Sequence, residues 1–239
     1  MAILSGIHPV AEALRGKRPL ERILIAKGAG GPRLQEIIDL ARQSSIPVRF
    51  EPRNGLDRLA GSPAHQGVVA LGATQRYADL DRAAEGNMVV VLDGVEDPHN
   101  LGAIIRTAHA AGAASVIIPE RRAASVSDVV AKAAAGALEH LPIARVTNVN
   151  RTLEDLKERG FQIYGLDERG SQDYDRVEYA EPAAFVLGGE GKGLHEQVRK
   201  HCDVLLRIPM AGKISSLNVS VAAGVVLFEW ARRRRAATG

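Results

Sequence analysis

Three stretches of this chain combine polar side chains with glycines at places where a strand passes into a helix. In Leu92-Asp-Gly-Val-Glu-Asp-Pro-His-Asn-Leu-Gly-Ala-Ile-Ile-Arg106 an apolar run gives way to a polar turn and then to helical spacing. Asn100 stands where that helix is expected to start, the place of a capping side chain. Arg106 lies beside the apolar stripe of Leu101, Ile104, Ile105 and Ala108. Helical side chains lean toward the N-terminus, so Arg106 leans toward the loop. It is either a snorkelling surface arginine or a cation serving that loop.

In the second stretch, Leu187-Gly-Gly-Glu-Gly-Lys-Gly-Leu194, four glycines interleave with Glu190 and Lys192. Such a loop lets backbone N–H groups approach a ligand closely. Its spacing is neither the Walker pattern nor G-x-G-x-x-G, and a tight structural turn is the plain alternative. The third stretch, Ile208-Pro-Met-Ala-Gly-Lys-Ile-Ser-Ser-Leu-Asn-Val-Ser-Val-Ala222, leads from a strand into a small-residue helix. Ser215, Ser216 and Asn218 cluster where helix capping is expected. The seven histidines show no paired ligand spacing such as H-E-x-x-H, so no metal site is expected. Cys202, the single cysteine, excludes an internal disulfide and reads as a small packed residue.

These loops need a scaffold of alternating strands and helices. From residue 87 onward, strands are expected at 88–92, 115–118, 142–146, 162–165, 183–187 and 205–208. Helices are expected at 101–111, 126–136, 148–159, 194–200 and 216–233. This alternation predicts an α/β fold with a mostly parallel sheet, whose ligands bind beyond the C-terminal strand ends. Residues 1–75 form a separate compact α/β unit, with strands at 22–26, 48–50 and 67–71 and helices at 8–14, 32–44 and 56–59. The polar stretch 76–86 reads as a linker, and 87–239 as a second domain.

The 239 residues suffice for one large or two small domains. A composition of 46% hydrophobic and 25% charged residues excludes disorder over most of the length. No apolar run approaches the ~18–20 residues that span a bilayer. No charged segment followed by an apolar one opens the chain, and a cytoplasmic protein is expected. The net charge of +3 is unevenly spread. Residues 1–75 carry 10 Lys/Arg against 6 Asp/Glu, and Arg232 to Arg235 close the chain. A polyanion would be held at these two places, with Arg15, Arg18, Arg22 and Arg33 as candidates. Phe50 is the only aromatic residue in the first unit, which argues against a base-stacking sheet of the RRM type.

Taken together, the three stretches resemble the signature motifs of the SpoU/TrmH family of SPOUT RNA methyltransferases, in order and in spacing. The resemblance covers residues 88–230. Ser5-Gly-Ile-His-Pro-Val-Ala-Glu-Ala-Leu14 and Ala64-His-Gln-Gly-Val-Val-Ala70 resemble the L30e-like substrate-binding domain found in a subset of that family. Within the subset the chain looks most like bacterial enzymes that methylate a guanosine 2′-oxygen in the peptidyl-transferase loop of 23S ribosomal RNA.

The resemblance implies a C-terminal α/β-knot, a deep trefoil knot formed by about 185–230, and a homodimer. It implies S-adenosylmethionine as cofactor, held at Gly188, Ile208 and Leu217. It assigns catalysis to Arg106, supported by Asn100, Glu190, Ser216 and Asn218. Asn100 would orient Arg106 or the substrate backbone, and Glu190 would pin the glycine loop or the arginine. Neither a metal nor a membrane partner is implied. Other readings are a 2′-O-methyltransferase of tRNA or of a 23S adenosine, and a non-catalytic RNA-binding paralogue that assists ribosome assembly. A dinucleotide-dependent oxidoreductase would require a G-x-G-x-x-G turn with an acidic residue some 20 positions on, and residues 87–239 offer no convincing match.

Overall fold

The computed structural model describes residues 2–16, 18–72, 77–191, 193–213 and 216–238. Lys192 and Ser215, named above, and the first residue of the stretch 76–86 lie outside the described residues.

The chain divides into two compact units. The first opens with β1 (Ala2–Ser5), α1 (Ile7–Arg15), β2 (Leu20–Ala26), α2 (Pro32–Gln43), β3 (Val48–Glu51), α3 (Arg53–Ala60) and β4 (Val68–Gly72). Its sheet has the order β1-β4-β2-β3, with β2 and β3 parallel and the other pairs antiparallel. Helices α1 and α2 bury Val10, Leu14, Leu34 and Ile37 against Ile23, Ile25, Val68 and Ala70 on one face of that sheet. Within the Ala64–Ala70 motif His65 is fully buried. Its Nδ1 accepts from Gly67 N–H at 3.0 Å and its Nε2 bonds Asp57 at 2.8 Å, which ties the turn before β4 to α3.

The second unit contains α4 (Leu80–Ala83), β5 (Met88–Asp93), α5 (Pro98–Ala111), β6 (Ser115–Pro119), then β7 (Ile143–Val146), α7 (Val149–Glu158), β8 (Gln162–Leu166), β9 (Gln172–Asp173), β10 (Ala183–Gly188), α8 (Glu196–His201), β11 (Val204–Arg207) and α9 (Val219–Thr238). Its sheet runs β7-β6-β5-β10-β8-β11-β9, and every pairing is parallel. Such a sheet must be covered on both faces. Val89, Val91, Ile117, Ile163, Ala184 and Val186 meet α4, α7 and α8 on one side. The intervening residues, among them Val90, Leu92 and Phe185, are equally buried beneath α5 and α9.

The units depart from the expected boundaries in two places. The stretch expected as a linker holds α4, capped by Asp79 onto Arg82 N–H at 2.8 Å, and Ala83 is buried in the second core. Residues Val126–His140, expected within the second domain, group with the first unit. They carry α6 (Asp128–Ala134), whose Ala131 packs against the first core. They also carry Glu139, which pairs with Arg18 at 2.8 Å with both side chains under 10% exposed. The sequence offers no composition shift at this excursion, because helical spacing is the same whichever core the helix joins.

The arginines at the chain's end are largely engaged within their own unit. Arg232 and Arg233 hydrogen-bond Glu229 at 2.8 and 2.6 Å, and Arg234 pairs with Glu181 at 3.0 Å. The Arg232 hydrogen bond, against the opposing effect of burial and with help from Arg233, holds the Glu229 carboxyl down at about 2, below its usual 4.5. A depressed carboxyl stabilises the fold above its unfolded pKa and loses that contribution as the pH falls toward its folded value. Unfolding free energy should therefore decline as the pH drops from about 4.5 toward 2. Glu229→Gln should remove part of that dependence in urea titrations across this range. An identical acid profile for both proteins would refute the assignment.

Candidate active site

The second and third motif loops meet the loop after β8 at the C-terminal ends of β8, β10 and β11, where open parallel sheets bind ligands. Together they line a cavity of about 480 Å³, within the range of small-molecule sites. Gly188 ends β10, and the loop beyond it contributes Glu190 and Gly191 to the wall. Ile208, just past β11, faces the same space, as do Ser216, Leu217 and Asn218 at the approach to α9. The three residues expected to hold a cofactor thus line one cavity, together with three of the five expected catalytic residues.

The glycine loop is set by backbone contact. A Cβ on Gly188 would stand 2.1 Å from the carbonyl carbon of Gly193, and one on Gly189 would stand 2.0 Å from the carbonyl oxygen of Gly94. Any side chain there would displace main chain. Gly191, at φ +76°, has open space where its Cβ would be, so a ligand can approach its backbone.

Asn100 does not cap its helix. The cap is Asp97, which accepts from His99 N–H at 2.9 Å, with Pro98 in the first turn. The helix starts earlier than expected because proline suits the first turn, where its missing N–H costs nothing. Asn100, 6% exposed, is thereby freed for tertiary contacts. Its Nδ2 donates to Glu190, and its Oδ1 accepts from Asn218 Nδ2 at 3.0 Å. Asn218 Nδ2 also reaches Glu190 Oε1 at 3.2 Å. The other end of Asn218 accepts from Ser220 N–H at 2.9 Å and Ser220 Oγ at 2.6 Å, capping α9. The capping role and the site role belong to the same side chain.

One residue from each motif therefore enters one hydrogen-bonded triangle. Arg106 does not join it. It lies on α5, exposed, with no hydrogen bond or ion pair among the described residues, and it does not line the cavity. Glu190 consequently tethers the glycine loop to the two asparagines, and Asn100 makes no hydrogen bond to Arg106. Replacing Asn218 by alanine should cost about 1–2 kcal/mol for the lost cap alone. Asn218→Asp should keep the cap, yet set a second carboxylate beside Glu190 and slow turnover. Thermal melts beside rate measurements separate these effects, and an Asp variant of full activity would disprove the role of the Nδ2 donor.

Two acidic residues escaped the sequence reading. Asp93, at the end of β5, is 5% exposed and grips His195 twice, through the backbone N–H at 2.8 Å and Nδ1 at 2.9 Å. Its carbonyl accepts from Gly189 N–H at 2.8 Å, so it locks the glycine loop from both ends. Asp167, just past β8, lines the cavity and accepts from Arg169 N–H at 2.8 Å. Burial pushes its carboxyl up, but the hydrogen bonds and charges of Arg169 and Arg199 leave it below the usual range. The available signal was an Asp at the C-terminal end of a parallel strand in each case. The Cys202 thiol, by contrast, is pushed up to about 12 by burial and supplies no nucleophile. Among the described residues no group of His, Cys, Asp and Glu could hold a metal ion, and no helix is long and apolar enough to cross a membrane.

An all-parallel α/β unit with a glycine-walled cavity beyond its strand ends defines a nucleotide-type cofactor site. The SpoU rRNA Methylase family pattern matches residues 87–228, and the pattern for RNA 2′-O ribose methyltransferase substrate binding matches residues 3–78. The chain belongs to the SpoU/TrmH family of S-adenosylmethionine-dependent RNA methyltransferases. It is 44% identical over 236 residues to YacO of Bacillus subtilis, a protein assigned to the TrmH family of tRNA/rRNA methyltransferases, covering 96% of this chain and 94% of that one. Its fold is similar to that of the SpoU methyltransferase AviRb from Streptomyces viridochromogenes in complex with AdoMet. That match has a TM-score of 0.85 at 28% identity and covers 98% of this chain and 90% of the other. An AdoMet-bound rRNA methyltransferase from Sinorhizobium meliloti matches with a TM-score of 0.82 at 28% identity, over 98% and 87% of the two chains.

The cavity fits that cofactor. Leu187, Leu206, Ile208 and Leu217 offer apolar wall for a purine, and the glycine loop offers close backbone. The carboxylates of Glu168 and Glu190 complement a sulfonium and an ammonium group.

Proposed function

We propose that this protein methylates the 2′-oxygen of a guanosine ribose in 23S ribosomal RNA, in the peptidyl-transferase loop. The observation that carries the reading is the triangle of Asn100, Glu190 and Asn218 at the rim of a cavity suited to S-adenosylmethionine. A whole-length fold match to an rRNA methyltransferase and the substrate-binding pattern over residues 3–78 support ribosomal RNA as the substrate.

When bound, the cofactor supplies a methyl group activated by its sulfonium. Gly188, Ile208 and Leu217 hold it, and the triangle keeps the glycine loop in register with α9. Ser216 would place the ribose so that its 2′-oxygen could accept that methyl group. Holding the two partners in line provides much of the acceleration. The Arg106 guanidinium serves as a cationic donor and not as the base. It grips the neighbouring phosphate and stabilises the charge that develops on the 2′-oxygen.

We further propose a deep trefoil knot over about 185–230. The close approach of Gly189 to the main chain of Gly94 supports it, as does Gly170, where a Cβ would stand 2.6 Å from the carbonyl carbon of Leu206. The protein works as a homodimer in the cytoplasm, where its RNA is made. The exposed Val221 and Phe228 on α9, seven positions apart, support a subunit interface there.

The test is incubation with labelled S-adenosylmethionine and unmodified 23S transcript beside tRNA, followed by mapping of 2′-O-methylation. Label on a single 23S guanosine is the expected result. Label on tRNA or on an adenosine would overturn the substrate while leaving the chemistry.

A further inference from the structure

The first unit has a cavity of its own, of about 340 Å³, on the sheet face beneath α3. Its floor is Ile3, Leu24 and Leu71, from three adjacent strands. Leu24 of β2 is in register with Arg49 of β3, so Arg22, Leu24, Arg49 and Glu51 alternate onto this same face. Arg22 Nε is buried and has no hydrogen-bond partner. Neither Arg22 nor Arg49 makes an ion pair among the described residues. Arg15 and Arg18, by contrast, are held by Glu12, Glu36 and Glu139. A buried donor without an acceptor is costly, and natural structures rarely keep one without a use.

The lining matches the chemistry of one nucleotide. An apolar floor takes the flat face of a base, and two free guanidinium groups take its phosphate. Glu51 accepts only, so it repels the phosphate and favours a base edge that presents adjacent N–H donors, as guanine does. A duplex is too wide to enter, whereas an unpaired base can be splayed into such a pocket. We propose that this cavity docks one unpaired nucleotide of the RNA substrate, guanine by preference, away from the nucleotide that is methylated. This rests on the reading that the protein acts on RNA.

The experiment measures binding of the full-length protein to a 23S fragment that it methylates, by fluorescence anisotropy across a salt series. Arg22→Gln with Arg49→Gln should weaken binding about tenfold or more and flatten the salt dependence by about one to two charges. Leu59→Trp, at the half-exposed rim, should fill the cavity and weaken binding without changing charge. Glu51→Gln should reduce discrimination between guanine and adenine at the docked position. Melting temperature and S-adenosylmethionine affinity should stay at wild-type values throughout. Normal RNA binding by the double variant overturns the proposal, as does a silent Leu59→Trp. Unchanged RNA binding with lost affinity for a ribosomal particle would assign the pocket to a protein and also overturn it. A wild type that methylates no RNA would instead overturn the underlying reading.

Discussion

Replacing Arg106 by alanine is expected to slow methyl transfer about 10²–10³-fold, the usual loss when one donor to a developing oxyanion is removed. The structure makes this an unusually clean experiment. Arg106 is exposed and has no partner among the described residues, so its removal should leave stability within about 0.5 kcal/mol. It lies outside the cavity lining, so the affinity for S-adenosylmethionine should hold. Arg106→Lys should recover little, because an ammonium lacks the planar fork that binds phosphate and alkoxide together. Single-turnover rates on saturating RNA, set beside cofactor binding by calorimetry, decide the matter. A defect located wholly in cofactor affinity would refute the assignment to the transferring oxygen. Unchanged turnover would leave Arg106 as a surface residue.

Gly188→Ala is expected to be the most damaging single methyl group that could be added to the cavity. The added Cβ would stand 2.1 Å from the carbonyl carbon of Gly193 and 2.4 Å from Leu194 N, both main-chain atoms that cannot rotate aside. Overpacking of side chains costs typically 1–3 kcal/mol, and backbone against backbone belongs at or above the upper end. We therefore expect a loss of about 3 kcal/mol in urea unfolding and a drop in cofactor affinity of about tenfold or more. Gly191→Ala is the control, with open space around its Cβ and only the strain of φ +76° to bear. It should lose about 1–2 kcal/mol and keep more of its binding. A Gly188→Ala protein with native stability and affinity would show that the loop relaxes freely, contrary to the packing described.

The triangle of Asn100, Glu190 and Asn218 shows how much of the site was legible in advance. All three stood out in the sequence, since each is a polar residue at a junction between strand-like and helix-like spacing. Their partners were not legible. Asn100 reads as a helix cap until Asp97 and Pro98 are seen to start the helix one turn earlier. Glu190 was expected to hold the loop or the arginine, and the structure gives it two amides from residues 90 and 28 positions away. Asp93 escaped notice because an acid after a strand is common, and its value lies in the backbone of His195, 102 residues on.

The sequence by itself determined the element types, because apolar periodicity reflects burial whichever partner covers the face. It also located the three motif loops, since glycine and proline restrict the backbone locally. Tertiary structure alone decided which charges are free. The basic tail and Arg15 and Arg18 are engaged by Glu229, Glu181, Glu12, Glu36 and Glu139, and Arg22, Arg49 and Arg106 are left without partners among the described residues. It likewise decided that Val126–His140 joins the first unit. Both outcomes depend on contacts between residues far apart in the chain, and a local pattern carries no record of what it will meet.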